Sequence, residues 1–149
     1  MGVPVRVIQL PSNARTAAEA AKVVGCGIDP IAKSLVFRGL KTGRPVLVIA
    51  SGRNRVDERK LSEFALEPVR PAEPEFVRQR TGFAIGGVPP IGHAEEIETF
   101  LDEDLMSLDE IWAAAGAPDA VFCIRSADLV AIAGGRVVRI AEKPLSGTA

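Results

Sequence analysis

Apolar and polar positions divide the chain into short elements. Thr16-Ala17-Ala18-Glu19 has the capping-box pattern, Ala-rich helix formers follow to Val24, and Gly25 supplies a stop, which predicts a helix over 16–24. Ile31, Leu35, Val36 and Phe37 around Lys33, then Val46 to Ile49 beyond Gly39–Gly43, predict two strands of a β-hairpin. Asp57 to Leu66 carries Leu61, Phe64 and Ala65 at helical spacing behind an acidic first turn, and Glu73 to Arg80 predicts a second short helix. Phe83-Ala84-Ile85 reads as a strand entering the loop Gly86-Gly87-Val88-Pro89-Pro90-Ile91-Gly92-His93, where glycine and proline forbid regular structure. Ser107 to Ala115 fits a helix by propensity and a strand by its apolar run Ile111-Trp112-Ala113, so both stay open. A strand over 120–124, a helix over 126–132 ended by Gly134-Gly135 and a last strand over 137–140 complete the pattern. Strands and helices intermix without regular βαβ spacing, which predicts a mixed α+β fold in one domain spanning 1–149.

Composition narrows the function classes. Of 149 residues, 47% are hydrophobic and 25% charged, so the chain can build a core without metals or disulfides. The longest apolar run, Pro45 to Ala50, is far short of the roughly 20 residues a membrane span needs. Met1-Gly2-Val3-Pro4-Val5-Arg6 lacks the basic start and apolar stretch of a secretory leader, so a cytoplasmic location without membrane contact is expected. Cys26 and Cys123 have no second Cys or His at ligand spacing and read as free thiols.

The net charge of −1 hides two opposite segments. Lys33 to Lys60 carries eight bases against two acids, whereas Ala94 to Asp119 carries nine acids and no base. Such a chain suits a nucleic acid touched at one end, although charge runs are commonly just solvated faces.

Lys33 lies inside an otherwise apolar strand. A partly desolvated ammonium binds phosphate or a developing oxyanion more strongly than a solvated one, and the plain alternative is an edge lysine whose stem packs while its head reaches water. The Gly86–Gly92 loop lacks the Gly-Lys-Ser/Thr ending of a phosphate loop. Its glycines allow close approach of backbone to a ligand and its prolines stiffen it, or it is a structural turn at a sheet corner. His93, the only histidine, is a candidate general base or a surface or capping residue. Asp102, Glu103 and Asp104 are consecutive carboxylates of the kind that commonly face solvent, and no metal site is predicted from them.

Three segments together, Ile31-Ala32-Lys33-Ser34-Leu35-Val36-Phe37, Thr81-Gly82-Phe83-Ala84-Ile85-Gly86-Gly87-Val88-Pro89-Pro90-Ile91-Gly92-His93 and Ala127-Asp128-Leu129, carry a family likeness. The chain resembles the YbaK/EbsC-type aminoacyl-tRNA deacylases, free-standing relatives of the editing domain inserted in bacterial prolyl-tRNA synthetases. The resemblance implies a barrel-like mixed β-sheet core with surrounding short helices. It implies hydrolysis of the ester joining a wrong, small amino acid (Ala, Cys, Ser or Thr) to tRNA, with no metal and no cofactor. Lys33 matches the family lysine at the substrate's 3′ end. Gly86 and Gly87 match the catalytic backbone loop, and Val88, Pro89, Pro90, Gly92, His93 and Asp119 fall in substrate-binding positions. Some members carry histidine near the position of Asp119. The implied partners are the tRNA acceptor end and an aminoacyl-tRNA synthetase, with the protein a monomer or homodimer. The rival reading is a non-catalytic module that binds aminoacyl-tRNA, a nucleotide or a synthetase on the same fold.

Overall fold

The computed structural model describes residues 6–11, 16–117 and 119–142. Most of the Met1–Arg6 stretch read for a leader lies outside them. The elements in chain order are β1 (Arg6–Gln9), α1 (Ala17–Val24), β2 (Ala32–Gly39), β3 (Pro45–Ser51), α2 (Glu58–Ala65), β4 (Val69–Pro71), α3 (Pro74–Thr81), β5 (Glu98–Asp102), a 3₁₀ turn (Glu103–Ser107), β6 (Glu110–Ala114), β7 (Ala120–Arg125), α4 (Ser126–Ala133) and β8 (Arg136–Val138).

Local chemistry accounts for most boundaries. Thr16 and Glu19 close the capping box in both directions, with Glu19 N–H donating to Thr16 Oγ1 at 3.1 Å and Thr16 N–H to Glu19 Oε1 at 3.0 Å. Asp57 caps α2 by accepting from the Arg59 and Lys60 amides. Pro74 opens α3, where its missing N–H costs nothing. Strand β3 is buried along all seven residues, as its unbroken apolar run requires of a strand covered on both faces.

The strands form two sheets. One has the order β1-β7-β6, all antiparallel, and the other β4-β2-β3-β5-β8, with β3–β5 and β5–β8 parallel. The mixed α+β class is as expected, and the sheets do not close into a barrel. They meet along one short seam, where Ile31 bridges Trp112 and the Trp112 N–H donates to Pro30 C=O at 2.8 Å. Among the described residues three apolar clusters form: one around Leu47, Leu101 and Ile111, one around Val48, Leu61 and Phe100, and one joining α1 to Trp112 and Cys123.

One expected strand needs correction and one open choice is resolved. Phe83-Ala84-Ile85 is not a strand: Phe83 N–H donates to the Thr81 hydroxyl and Gly87 N–H to Ala84 C=O, which folds the segment into consecutive turns. The open choice at 107–115 resolves as strand β6, because Ile111 to Ala113 pair with β7. The local pattern predicts no strand over 98–102, yet β5 lies between β3 and β8 with Phe100 and Leu101 fully buried. The hairpin end of β2 is pinned by Glu67. Its carboxylate accepts from Lys41 N–H, Thr42 N–H, the Thr42 hydroxyl and Arg44 Nε, which together hold its pKa down at about 2.

Candidate functional site

A cavity of about 560 Å3 opens where the two sheets diverge from their seam. Ile31 and strand β2 as far as Phe37 supply one wall, Trp112, Ala114 and Val121 face it from the other sheet, and α1 and α3 add Ala17, Ala20 and Val77. Gly86 and Val88 of the glycine-proline loop close one side, and Arg55 and Glu58 stand on the wall with Lys33. Its size and mostly apolar lining fall in the range of small-molecule sites, about 300–1,000 Å3.

Lys33 projects from β2 on the face shared with Leu35 and Phe37, by strand alternation. Its Nζ donates to the Asn54 carbonyl at 2.6 Å. Burial pushes the ammonium below the ordinary lysine range, and the Asp102 charge opposes that shift. Asp102 is itself fully buried and organises the loop that receives Lys33. Its Oδ2 accepts from Ser51 N–H at 3.1 Å and Asn54 Nδ2 at 2.7 Å, and its Oδ1 accepts from Asp104 N–H at 3.0 Å. Lys33 is thus half-buried, and its protein partner is a carbonyl braced by a carboxylate two elements away. Neither Asn54 nor Asp102 stood out in the sequence as a support for Lys33. Asp102 sits in an acidic run whose other members, Glu103 and Asp104, do reach Arg139 and Asn54 near the surface.

The loop residues divide into two places. Gly86 lies on the cavity with φ +86°, at the third position of the Ala84–Gly87 turn, where a left-handed residue favours glycine. Val88 is buried against the same cavity, next to the buried Gly87. Pro90, Gly92 and His93 line a separate hollow with Glu95, Glu96 and Thr99. The His93 Nε2–H donates to Pro89 C=O at 2.7 Å, so this ring nitrogen is occupied in tying the loop to itself. Asp119 stands in the turn between β6 and β7, accepting from Gln9 Nε2 at 2.7 Å and, through its carbonyl, from Leu10 N–H. The structure thus brings Lys33, Gly86 and Val88 to one cavity and sets Gly87, Pro89, Pro90, Gly92, His93 and Asp119 outside its lining. Ser34, Ile85 and Trp112 line it without having been singled out. Ile85 is 54% exposed at its rim, an apolar side chain left open to a ligand.

Ion pairs engage part of the basic segment, and among the described residues the pair Arg44–Glu98 joins it to the acidic one. Arg44 joins Glu67 and Glu98, Arg53 pairs with Asp29, Arg55 with Glu142, and Arg80 with Glu95. Three of the eight bases between Lys33 and Lys60, Arg44, Arg53 and Arg55, are therefore paired at short range. Lys41 and Arg70, which have no ion pair among the described residues, share a shallow hollow with Arg38 beside Pro71 and Ala72, two residues that also line the main cavity. Among the described residues no helix is long and apolar enough to cross a membrane, and no group of three or more His, Cys, Asp or Glu side chains could hold a metal.

Comparison with known proteins identifies relatives of this chain. The uncharacterized protein YwhH of Bacillus subtilis is 32% identical over 111 residues, 74% of this chain and 70% of its own. A protein of Enterococcus faecalis named "Putative Cys-tRNA(Pro)/Cys-tRNA(Cys) deacylase EbsC" is 28% identical over 126 residues, covering 78% of this chain and 76% of its own. A crystal structure described as "a putative trans-editing enzyme for prolyl tRNA synthetase" superposes with a TM-score of 0.88 at 45% identity, over 93% of this chain and 87% of that one. The family model for the aminoacyl-tRNA editing domain matches residues 11–132. That match runs from just after β1 into α4 and takes in both the Lys33 strand and the glycine-proline loop, so the chain belongs to the aminoacyl-tRNA editing domain family and is an aminoacyl-tRNA deacylase.

Proposed function

We propose that the chain removes a small, wrongly attached amino acid from tRNA in trans, with the 3′ aminoacyl end lying in the cavity between Lys33 and Gly86. The observation that carries this reading is the placement of Lys33: an ammonium partly stripped of water, aimed by the Asn54 carbonyl, on the wall of a largely apolar cavity. In such a place a cation interacts strongly with the terminal phosphate or with the oxyanion that forms as water adds to the ester carbonyl. Collapse of that intermediate breaks the acyl carbon–ribose oxygen bond, the ribose oxygen takes a proton, and the amino acid leaves as a carboxylate.

The loop contributes through its backbone. The turn at Gly86 brings main chain to the cavity without a side chain in the way, and the buried Val88-Pro89-Pro90 segment fixes its position. Such a site orients ester and water and needs no Ser-His-Asp set, in keeping with His93 being engaged elsewhere. The hollow of Arg38, Lys41 and Arg70, adjoining the cavity at Pro71 and Ala72, offers positive charge to the acceptor-stem phosphates. The reaction belongs to the cytoplasm, where tRNA is charged, and a prolyl-tRNA synthetase is the natural partner to supply the substrate.

The test is release of labelled amino acid from tRNAs charged with Ala, Cys, Ser, Thr or Pro. Hydrolysis of one or two small-residue members, with prolyl-tRNA left intact, is the expected result. A flat panel with folded protein would replace this reading with a binding module on the same fold.

A further inference from the structure

One edge of β2 is left uncovered inside the cavity. Strand β4 pairs with β2 over Phe37–Gly39, and the last bond on that side runs from Ala72 N–H to Val36 C=O. On the other flank β6 meets β2 at the Ile31–Trp112 bridge and then departs. Main-chain groups of Val36 and Leu40 point toward β4, whereas those of Gly39 point toward β3. By the same alternation the N–H and C=O of Ser34 face away from β3, into the gap between the two covering strands.

The side chain of Ser34 is also unspent. Its Oγ is the only buried side-chain nitrogen or oxygen among the described residues without a hydrogen-bond partner. It lies on the strand face of Ala32 and Val36, which pack in one apolar cluster with Val77 and Val88, and Ser34 lines the cavity with all four. Leaving a buried hydroxyl unpaired costs free energy that a ligand group would recover. Rotation about the single Cα–Cβ bond takes Oγ between staggered positions, so reaching a ligand requires no backbone movement.

We propose that Ser34 determines specificity in the aminoacyl pocket, its open main-chain edge pairing with the acyl carbonyl and α-ammonium and its hydroxyl bonding a hydroxyl or thiol on the β-carbon of the amino acid. This assignment rests on the aminoacyl-tRNA reading above and narrows its substrate class to seryl, threonyl and cysteinyl esters. An extended ligand added to a strand edge is held through its backbone, which leaves the strand's own side chain to read the ligand's side chain. A hydroxyl in an apolar wall rewards a substrate that can pair with it and penalises an isostere that cannot.

The experiment compares kcat/KM for tRNA charged with serine and with 2-aminobutyrate, which differ by a hydroxyl against a methyl, in wild type and Ser34→Ala. Wild type should favour the seryl ester by about tenfold or more, and Ser34→Ala should bring the ratio close to one through loss on the seryl side alone. Because Oγ has no partner in the free protein, Ser34→Ala should melt at or above the wild-type temperature. An unchanged ratio in the variant, equal rates in wild type, or a lower melting temperature would each overturn the assignment. Hydrolysis of alanyl-tRNA with neither of these two esters cleaved would overturn it while leaving the deacylase reading standing, whereas no hydrolysis of any charged tRNA would overturn both.

Discussion

The Lys33 strand and the Gly86–His93 loop are the two segments in which the sequence concentrates its chemistry, and the structure treats them differently. Lys33 stands on a strand paired along its length with β3, and its ammonium is aimed by a carbonyl that a buried carboxylate holds in place. The loop is held by its own turns, by buried prolines and by a histidine bonded back to Pro89. One region presents a charged group positioned from outside itself. The other presents backbone, shaped from within. The contrast teaches that a side chain doing electrostatic work needs a rigid element and a second set of supports, while a loop that offers only main chain can be self-sufficient.

Breaking the outer support should have the larger effect. Asp102→Asn removes the buried charge and turns an amide toward donors that lose an acceptor, so unfolding free energy should fall by about 1–3 kcal/mol in denaturant titration. The same change should move the pH–rate profile. Asp102 now raises the Lys33 pKa against the lowering by burial, so without its charge Lys33 loses its proton at lower pH and the alkaline limb of the profile shifts down. An unmoved limb would separate Asp102 from Lys33.

The corresponding cut in the loop should matter less. His93→Ala removes one hydrogen bond to Pro89, with an expected stability loss of about 0.5–1.5 kcal/mol by thermal melting and a deacylation rate within a few-fold of wild type. A fall as large as that from losing Lys33 would return the histidine to the chemistry.

How much of this was legible follows from the range of the interactions. Capping at Thr16 and Asp57, the glycine stop at Gly25 and the hairpin around Gly39–Gly43 are settled within a few residues, and each could be read directly. Lys33 was readable because a charge inside an apolar strand violates the local pattern. Strand β5 was not, since both its neighbours are parallel partners distant in sequence and Phe100-Leu101 alone shows no period. The brace of Asp102 and Asn54 joins residues 48 positions apart, and the orphaned hydroxyl of Ser34 depends on which apolar side chains from distant elements pack on its strand face. The loop's glycines and prolines were visible, but their division between two hollows depends on where the turn at Gly86 points the chain.

The central claim is that Lys33 acts on the ester from within the cavity. Single-turnover deacylation of a substrate from the panel, by wild type and by Lys33→Ala protein shown to be folded, tests it most directly. Loss of one positioned charge-stabilising donor should slow the chemical step by about a hundredfold or more. A folded Lys33→Ala protein that deacylates at the wild-type rate would contradict the account.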